Sequence, residues 1–198
     1  MKNGALRLII IIFTGATLLL LAACGTTAPT RFYLLSPMAD PASTSGKNGV
    51  TILLAPVALP EHLNRPQIVT RQNGTQVRVD EFNRWAEPMA VHVSEILAEN
   101  LSLLLGTEGV TITNRYKQAH GDFHLSVKIL RFDGWPGKEA TLDCRWNLRR
   151  ADEPAGAHPE RFSVTQAVEG SDYPDLVVTM SRMLADLSRE IAQRIAAH

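Results

Sequence analysis

The sequence predicts an α+β fold, a single domain in which a mixed, mostly antiparallel sheet packs against two long amphipathic helices. Two long segments place apolar residues three and four positions apart, which is the spacing of one helix face. Several shorter segments alternate apolar and polar residues, as strands with one buried face do. The length of 198 residues and the hydrophobic fraction of 45% suit one domain with its own core.

The first 23 residues have the features of a secretory signal peptide. Lys2 and Arg7 are the only charged residues among them, and residues 8–21 are almost wholly apolar. The apolar run of 16 residues from Leu8 to Ala23 is shorter than the ~20 residues that a membrane-spanning helix needs. We therefore predict that residues 1–23 are removed after export, with a marginal membrane anchor as the less favoured alternative.

Residues 21–24 (L-A-A-C) resemble a bacterial lipobox. The resemblance implies cleavage before Cys24, a lipid thioether on its sulfur and acylation of the new amino terminus, chemistry that requires a thiolate nucleophile. Gly25 stands where an Asp would favour the inner membrane, which implies the periplasmic face of the outer membrane. Residues 24–30 then form a tether that reaches about 20 Å at most, and the acyl chains hold the protein on the membrane.

Turn-forming residues separate the predicted strands. Pro56 interrupts an apolar run and indicates a strand end, a bulge or an edge. Asn73-Gly74 is the strongest short hairpin signal, residues 80–88 are predicted to lead into a helix, and residues 133–137 predict a turn. A Ser- and Gly-rich loop is predicted at 38–49. The predicted strands are Arg31–Ser36, Thr51–Leu59, 68–70, 76–79, Val110–Thr113, 123–129, 142–148 and Arg161–Val168.

The two predicted helices have recognisable ends. The first covers Pro88–Leu105, with the proline at the first helical position and Gly106 as the C-terminal cap. It connects its neighbouring strands in a predicted crossover. The second covers about Tyr173–Ala197, with Asp172 as the N-cap. We expect the apolar stripe of this helix to pack on the sheet, with a coiled coil as the less favoured alternative.

Composition and motifs argue against several classes of function. The 20 basic and 20 acidic residues leave no basic excess, so a nucleic-acid-binding role is not expected. We find no nucleophile elbow, Walker loop, dinucleotide fingerprint or zinc-protease motif, and predict a protein that is not an enzyme and uses no cofactor. An enzyme of an unrecognised type is the less favoured alternative. His120 and His124 lack a third ligand, so no metal site is predicted. Cys144, with Cys24 lipidated, is predicted to be a buried small hydrophobe.

Two clusters of Arg, Pro and aromatic residues, at 65–71 and 82–88, fall in predicted loops. Arg and Trp are the side chains most favoured at interface hot spots. A structural role is an equal alternative, in which Trp85 closes the helix entrance and Arg84 pairs with Glu87 or Asp80. Trp135, at a predicted hairpin tip, is either a surface anchor or a lid on the core. The candidate partner-binding residues are Arg65, Pro66, Gln67, Arg84, Trp85 and Trp135.

Five segments in order resemble the PqiC family of ABC-type transport auxiliary lipoproteins. They are F-Y-L-L-S-P at 32–37, N-R-P-Q-I-V-T-R at 64–71, E-F-N-R-W-A-E-P at 81–88, L-R-F-D-G at 130–134 and R-W-N-L at 145–148. The resemblance implies that residues 31–198 form the family's domain, with a fold similar to the N-terminal domain of TolB. Trp135 departs from the family, where a smaller or polar residue is expected.

The resemblance also implies a function. It indicates the outer-membrane lipoprotein of a PqiABC-like intermembrane lipid transport system, which docks a PqiB-like tunnel protein with MCE domains and supports envelope integrity. A symmetric tunnel tip favours a homo-oligomeric ring of copies. The alternative is a periplasmic lipid carrier or assembly lipoprotein that binds lipid in its own apolar pocket.

The lipobox interpretation predicts the outcome of replacing one sulfur. Cys24→Ser removes the thiolate that accepts the lipid, so the precursor is expected to stay uncut at this site and to take up no palmitate. Labelling cells with radioactive palmitate measures the lipid, and an immunoblot of the same samples measures the size of the uncut precursor. A palmitate-labelled mature band from the Cys24→Ser variant would contradict the interpretation.

Overall fold

The computed structural model describes residues 28–37, 49–114, 120–152 and 159–197, together with Gly4. The predicted signal peptide at 1–23, Cys24 and nearly all of the predicted loop at 38–49 lie outside the described residues. No helix in the described part of the chain has both the length and the hydrophobicity to cross a bilayer. The elements are β1 (Arg31–Tyr33), β2 (Ile52–Leu54), β3 (Gln67–Arg71), β4 (Val77–Trp85), α1 (Met89–Leu105), β5 (Val110–Ile112), β6 (Phe123–Gly134), β7 (Glu139–Arg150), β8 (Glu160–Ala167) and α2 (Tyr173–Ala196).

The strands form two mixed sheets, which confirms the predicted α+β class. The larger sheet has the order β5-β2-β6-β7-β8, and the smaller one has the order β1-β4-β3. The long ladders, β6 with β7 and β7 with β8, are antiparallel as predicted. The strand β2 lies parallel to both β5 and β6 over three residues, so the predicted crossover through α1 is confirmed. The hairpin of β3 and β4, inserted before α1, contributes to the second sheet.

The helices bury their apolar faces in one continuous core. The predicted ends are confirmed at Gly106, whose φ of 60° closes α1, and at Asp172, whose carboxylate accepts a hydrogen bond of 3.2 Å from the Asp175 backbone. Pro88 is the N-cap of α1 and not its first helical residue. The large buried side chains of α2 are Leu176, Val177, Met180, Met183, Leu184, Leu187, Ile191 and Ile195.

Two predicted loop or turn segments are strand. Residues 80–85 continue β4, because the backbone there pairs with β1 on one side and with Gln67 of β3 on the other. Because these pairings join segments that are distant in sequence, the local sequence pattern does not predict the strand at 80–85. Asp133 and Gly134 end β6, and the turn that follows is closed by a 2.9 Å hydrogen bond from the Trp135 backbone to Glu139. Conversely, β2 ends at Leu54, shortly before Pro56, as the proline indicates.

Cys144 is fully buried in β7. Burial raises the pKa of its thiol to about 12, and the nearby charge of Asp143 acts in the same direction. The thiol therefore stays protonated and unreactive at neutral pH, which fits the predicted small hydrophobe.

The core of α1 predicts a stability contrast between two positions of one helix. Leu101 is fully buried and Val91 is half exposed. Leu101→Ala opens a cavity and is expected to lower the free energy of unfolding by about 2–5 kcal/mol, whereas Val91→Ala is expected to cost less than about 1 kcal/mol. Urea titration of both variants measures the difference. Equal losses would contradict the packing of α1 described here.

Candidate functional site

The structure brings together the two clusters of Arg, Pro and aromatic residues at 65–71 and 82–88. The strands β3 and β4 run antiparallel with Gln67 opposite Arg84, and the Trp85 backbone donates a 2.7 Å hydrogen bond to the Pro66 carbonyl. The two chain segments enclose a groove of about 400 Å³, which we call the Arg65 groove. Its lining residues are Asn64, Arg65, Pro66, Trp85, Ala86, Glu87 and Pro88.

The residues of this groove differ in exposure. Arg65 and Pro66 are exposed and form the accessible rim. Trp85 is only 5% exposed and belongs to the core, so its indole supports the groove from within. Arg84 is half buried and pairs with neither Glu87 nor Asp80. Its Nε donates to the Glu81 carbonyl at 3.0 Å, and its terminal nitrogen lies 3.6 Å from the Glu81 carboxylate.

A buried carboxylate organises the irregular centre of β4. The pairing with β3 shifts register here, and Asp80 accepts hydrogen bonds of 2.9 Å from the backbones of Phe82 and Asn83 and from the Asn83 side chain. The Tyr173 hydroxyl of α2 donates to the other oxygen at 2.8 Å. Tyr33 of β1 in turn donates to Asn83 at 2.8 Å. These hydrogen bonds link β1, β4 and the start of α2. The sequence does not predict this network, because Tyr173 lies 93 residues from Asp80.

The two ends of the Asp80–Tyr173 hydrogen bond have shifted pKa values. Burial alone would raise the pKa of Asp80, but the hydrogen bonds from Asn83, Tyr173 and two backbone N–H groups hold it below its ordinary value. Burial and the bond to the carboxylate raise the pKa of Tyr173 to about 12. At neutral pH the pair is therefore a carboxylate that accepts and a phenol that donates.

Trp135 lies away from the Arg65 groove. It directly follows β6 and lies beside Arg71, at the far end of β3. Arg71 is about 13 Å along that strand from Gln67. The Lys138 ammonium lies 5.8 Å from the indole centroid, within reach of a cation–π contact. Here a second groove of about 770 Å³, the Trp135 groove, is lined by Arg71, Gln72, Asn73, Gly74, Leu130, Arg131, Gly134, Trp135, Lys138 and Glu139.

Asp133 fixes two cations in the wall of the Trp135 groove. The carboxylate is fully buried and receives Arg71 through three contacts of 2.9–3.1 Å and Arg131 through one of 2.9 Å. A buried carboxylate requires such partners, because removal from water is costly for an unpaired charge. Arg71, Arg131 and Asp133 all lie in the segments 64–71 and 130–134 that carry the family resemblance. The Arg71–Asp133 ion pair joins β3 to β6, so the local sequence does not predict it.

The structure gives no geometry for metal chemistry in the part of the chain that it describes. No three side chains of His, Cys, Asp or Glu stand close enough to hold a metal ion among those residues. His124 lies on β6, and His120 is exposed before that strand. The arrangement provides surface grooves with cationic rims, which suit binding.

Comparison with protein families matches residues 33–192 to the model described as "ABC-type transport auxiliary lipoprotein component". The chain belongs to this family. The match confirms the resemblance to PqiC drawn from the sequence. The family is an auxiliary component of transport and not an enzyme class. No functionally curated protein matches the chain in sequence.

Two solved structures have the same fold. A crystallised uncharacterized protein superposes with a TM-score of 0.68 at 20% identity, over 85% of this chain and 99% of that one. A Xanthomonas campestris protein of the family DUF330 also gives a TM-score of 0.68, at 16% identity, over 82% of this chain and 93% of that one. At these identities the likeness establishes the fold and leaves function to other observations.

The lowered pKa of Asp80 predicts a pH-dependent contribution to stability. The unfolded chain binds the Asp80 proton at a higher pH than the folded protein, so the contribution is present above about pH 4 and is lost as pH falls through the folded pKa. Asp80→Asn is expected to lower the free energy of unfolding at pH 7 by about 1–3 kcal/mol. Urea titrations at pH 7, 5, 4 and 3 measure how this deficit shrinks on acidification.

Tyr173→Phe is the matched control, because it removes one hydrogen bond and keeps the carboxylate. We expect Tyr173→Phe to lower the free energy of unfolding at pH 7 by less than Asp80→Asn does, and this loss also to decline as the pH is lowered. A deficit of Asp80→Asn that stays constant from pH 7 to pH 3 would contradict the proposed role of the charge.

Proposed function

We propose that this protein is the outer-membrane lipoprotein of a PqiABC-like intermembrane lipid transport system, in which it docks the periplasmic tip of a PqiB-like tunnel protein with MCE domains. The family match over residues 33–192 supports a role as a lipoprotein that serves a transporter. The lipobox at residues 21–24 and Gly25 support anchoring on the periplasmic face of the outer membrane. In this role the protein supports envelope integrity without catalysing a reaction.

The observation that most favours docking is the geometry of the Arg65 groove. Within the described residues, the Arg65 guanidinium makes no hydrogen bond or ion pair, so its planar set of donors is available to carboxylate or carbonyl groups of a partner. The backbone on both sides is held by the Pro66–Trp85 hydrogen bond and by the buried indole. A contact on a rigid support loses little entropy on binding, which favours affinity.

The Trp135 groove provides a second contact in this proposal. Its indole and Lys138 combine a large apolar surface with a cation. The two grooves lie at opposite ends of β3 and are therefore displayed at a fixed separation. A ring of copies around a symmetric tunnel tip would repeat both contacts, as closed symmetry requires.

The interior of the domain favours docking over the alternative of a lipid carrier. A carrier needs an apolar cavity for acyl chains. Between the larger sheet and α2, the space is occupied by fully buried side chains, among them Leu142, Trp146, Met183 and Leu187. The grooves described above lie on the surface, at the ends of β3.

The docking proposal predicts that reversing the charge at Arg65 weakens partner capture. Arg65→Glu is expected to weaken binding to the periplasmic domain of the PqiB-like partner by at least about tenfold, equivalent to about 1.4 kcal/mol. Biolayer interferometry measures the affinity, and thermal unfolding is expected to stay unchanged because Arg65 is exposed. Trp85→Ala does not serve this test, since loss of its buried indole opens a cavity in the core.

The matched control is Arg145→Glu, which makes the same charge change on β7. Arg145 is exposed and lies between Lys128 and Arg161 in the sheet, so a glutamate there gains two cationic neighbours. We expect its affinity to equal that of the wild type. Equal affinity of the wild type, Arg65→Glu and Arg145→Glu for the partner would argue against docking through the Arg65 groove.

A further inference from the structure

The outer face of the smaller sheet exposes three large apolar side chains. Phe32 is 64% exposed, Leu34 50% and Phe82 41%. Phe32 lies opposite Arg84 in the parallel pairing of β1 with β4, so these two side chains share a face. Phe82 lies two positions before Arg84, in the irregular stretch of β4, and Leu34 directly follows β1. We call this surface, formed by Phe32, Leu34, Phe82 and Arg84, the Phe32 face.

The exposure of these side chains is built into the sheet. The alternate residues of the same strands point inward, where Tyr33 donates to Asn83 at 2.8 Å and Trp85 enters the core. The Tyr33 ring also lies 6.1 Å from the ring of Tyr173 on α2. Because these inner contacts fix the orientation of β1 and β4, the phenylalanines cannot turn inward without breaking them.

The position of the tether places this face beside the membrane. Ala28 and Pro29 line a shallow groove together with Arg31, Asp80, Phe82 and Asn83, so the tether leaves the domain beside Phe82. Ala28 is four positions after Cys24, a distance of about 14 Å at full extension. A lipid on Cys24 therefore holds this end of the face within that distance of the bilayer surface.

We propose that the Phe32 face lies on the bilayer that holds the lipid anchor, with Phe32, Leu34 and Phe82 at the boundary between headgroups and acyl chains. This inference rests on the anchoring at Cys24 in the proposed function. Aromatic side chains are favoured at this depth. Arg84 lies opposite Phe32 on this face, where its long cationic side chain can reach lipid phosphates. The face thus gives the anchored domain one orientation on the membrane.

The test uses the full mature lipoprotein in vesicles of phosphatidylethanolamine and phosphatidylglycerol. Single cysteines from Phe32→Cys and Phe82→Cys take an environment-sensitive nitrobenzoxadiazole (NBD) label. Cys24 carries its lipid and Cys144 is fully buried, so neither competes for the label. The matched control is Ile112→Cys, an exposed apolar residue on β5 at the edge of the larger sheet.

The expected result is a difference in quenching by lipids that carry a nitroxide near the headgroup. Emission from labels at positions 32 and 82 is expected to fall at least about twofold more than emission from position 112, because only lipid-contacting labels meet the nitroxide. Flotation of the vesicles in a density gradient is measured on the same samples.

Each other outcome overturns the inference in a distinguishable way. Equal quenching at positions 32 and 112 in protein that floats with the vesicles overturns the Phe32 face and leaves the anchor intact. Labels shielded from aqueous iodide but not quenched by lipid would show that the face is covered by protein, such as a second copy. Protein that does not float overturns the anchoring in the proposed function, and the orientation with it.

Discussion

The buried carboxylate of Asp80 is the interaction on which the exposed surfaces of this protein depend. It accepts hydrogen bonds from two backbone N–H groups and one side chain of the irregular stretch of β4, and one from Tyr173 at the start of α2. Each buried donor left without an acceptor would cost about 1–3 kcal/mol. By satisfying them together, Asp80 lets β4 depart from regular pairing and still continue to Trp85. The positions of the Arg65 groove and the Phe32 face both follow from that continuation.

The same constraint explains where the sequence is informative and where it is not. The helices and their caps at Gly106 and Asp172 are predictable, because the residues that determine them lie within one or two turns. The hairpin across Asn73-Gly74 is predictable for the same reason, although the Asn73 side chain closes it by accepting from the backbones of Thr75 and Gln76. Residues 80–85 show no alternation because of the bulge, and their partner strand β1 lies some 50 residues earlier.

Burial also separates residues that the sequence presents as equivalent. Arg65, Arg71 and Arg84 are the same residue type in neighbouring segments, yet Arg71 is paired with a fully buried carboxylate and Arg84 with an exposed one. Of these three arginines, only Arg65 has a guanidinium without a hydrogen-bond or ion-pair partner among the described residues. Arg71 is unavailable to a partner protein because it pairs with Asp133, 62 residues further along the chain. No pattern within the segment 65–71 indicates this ion pair. Candidate interface residues could thus be proposed from composition, but their sorting required the tertiary structure.

The smaller sheet combines the surfaces on which the proposed function depends. Its outer face bears Phe32 and Phe82 next to the tether, and the two grooves lie at opposite ends of its strand β3. In the proposed orientation the strands lie along the membrane surface, so the two ends of β3 and the grooves beside them lie at a similar height above the bilayer. A partner that contacts both grooves of one copy must therefore span the roughly 13 Å of β3 that separates them.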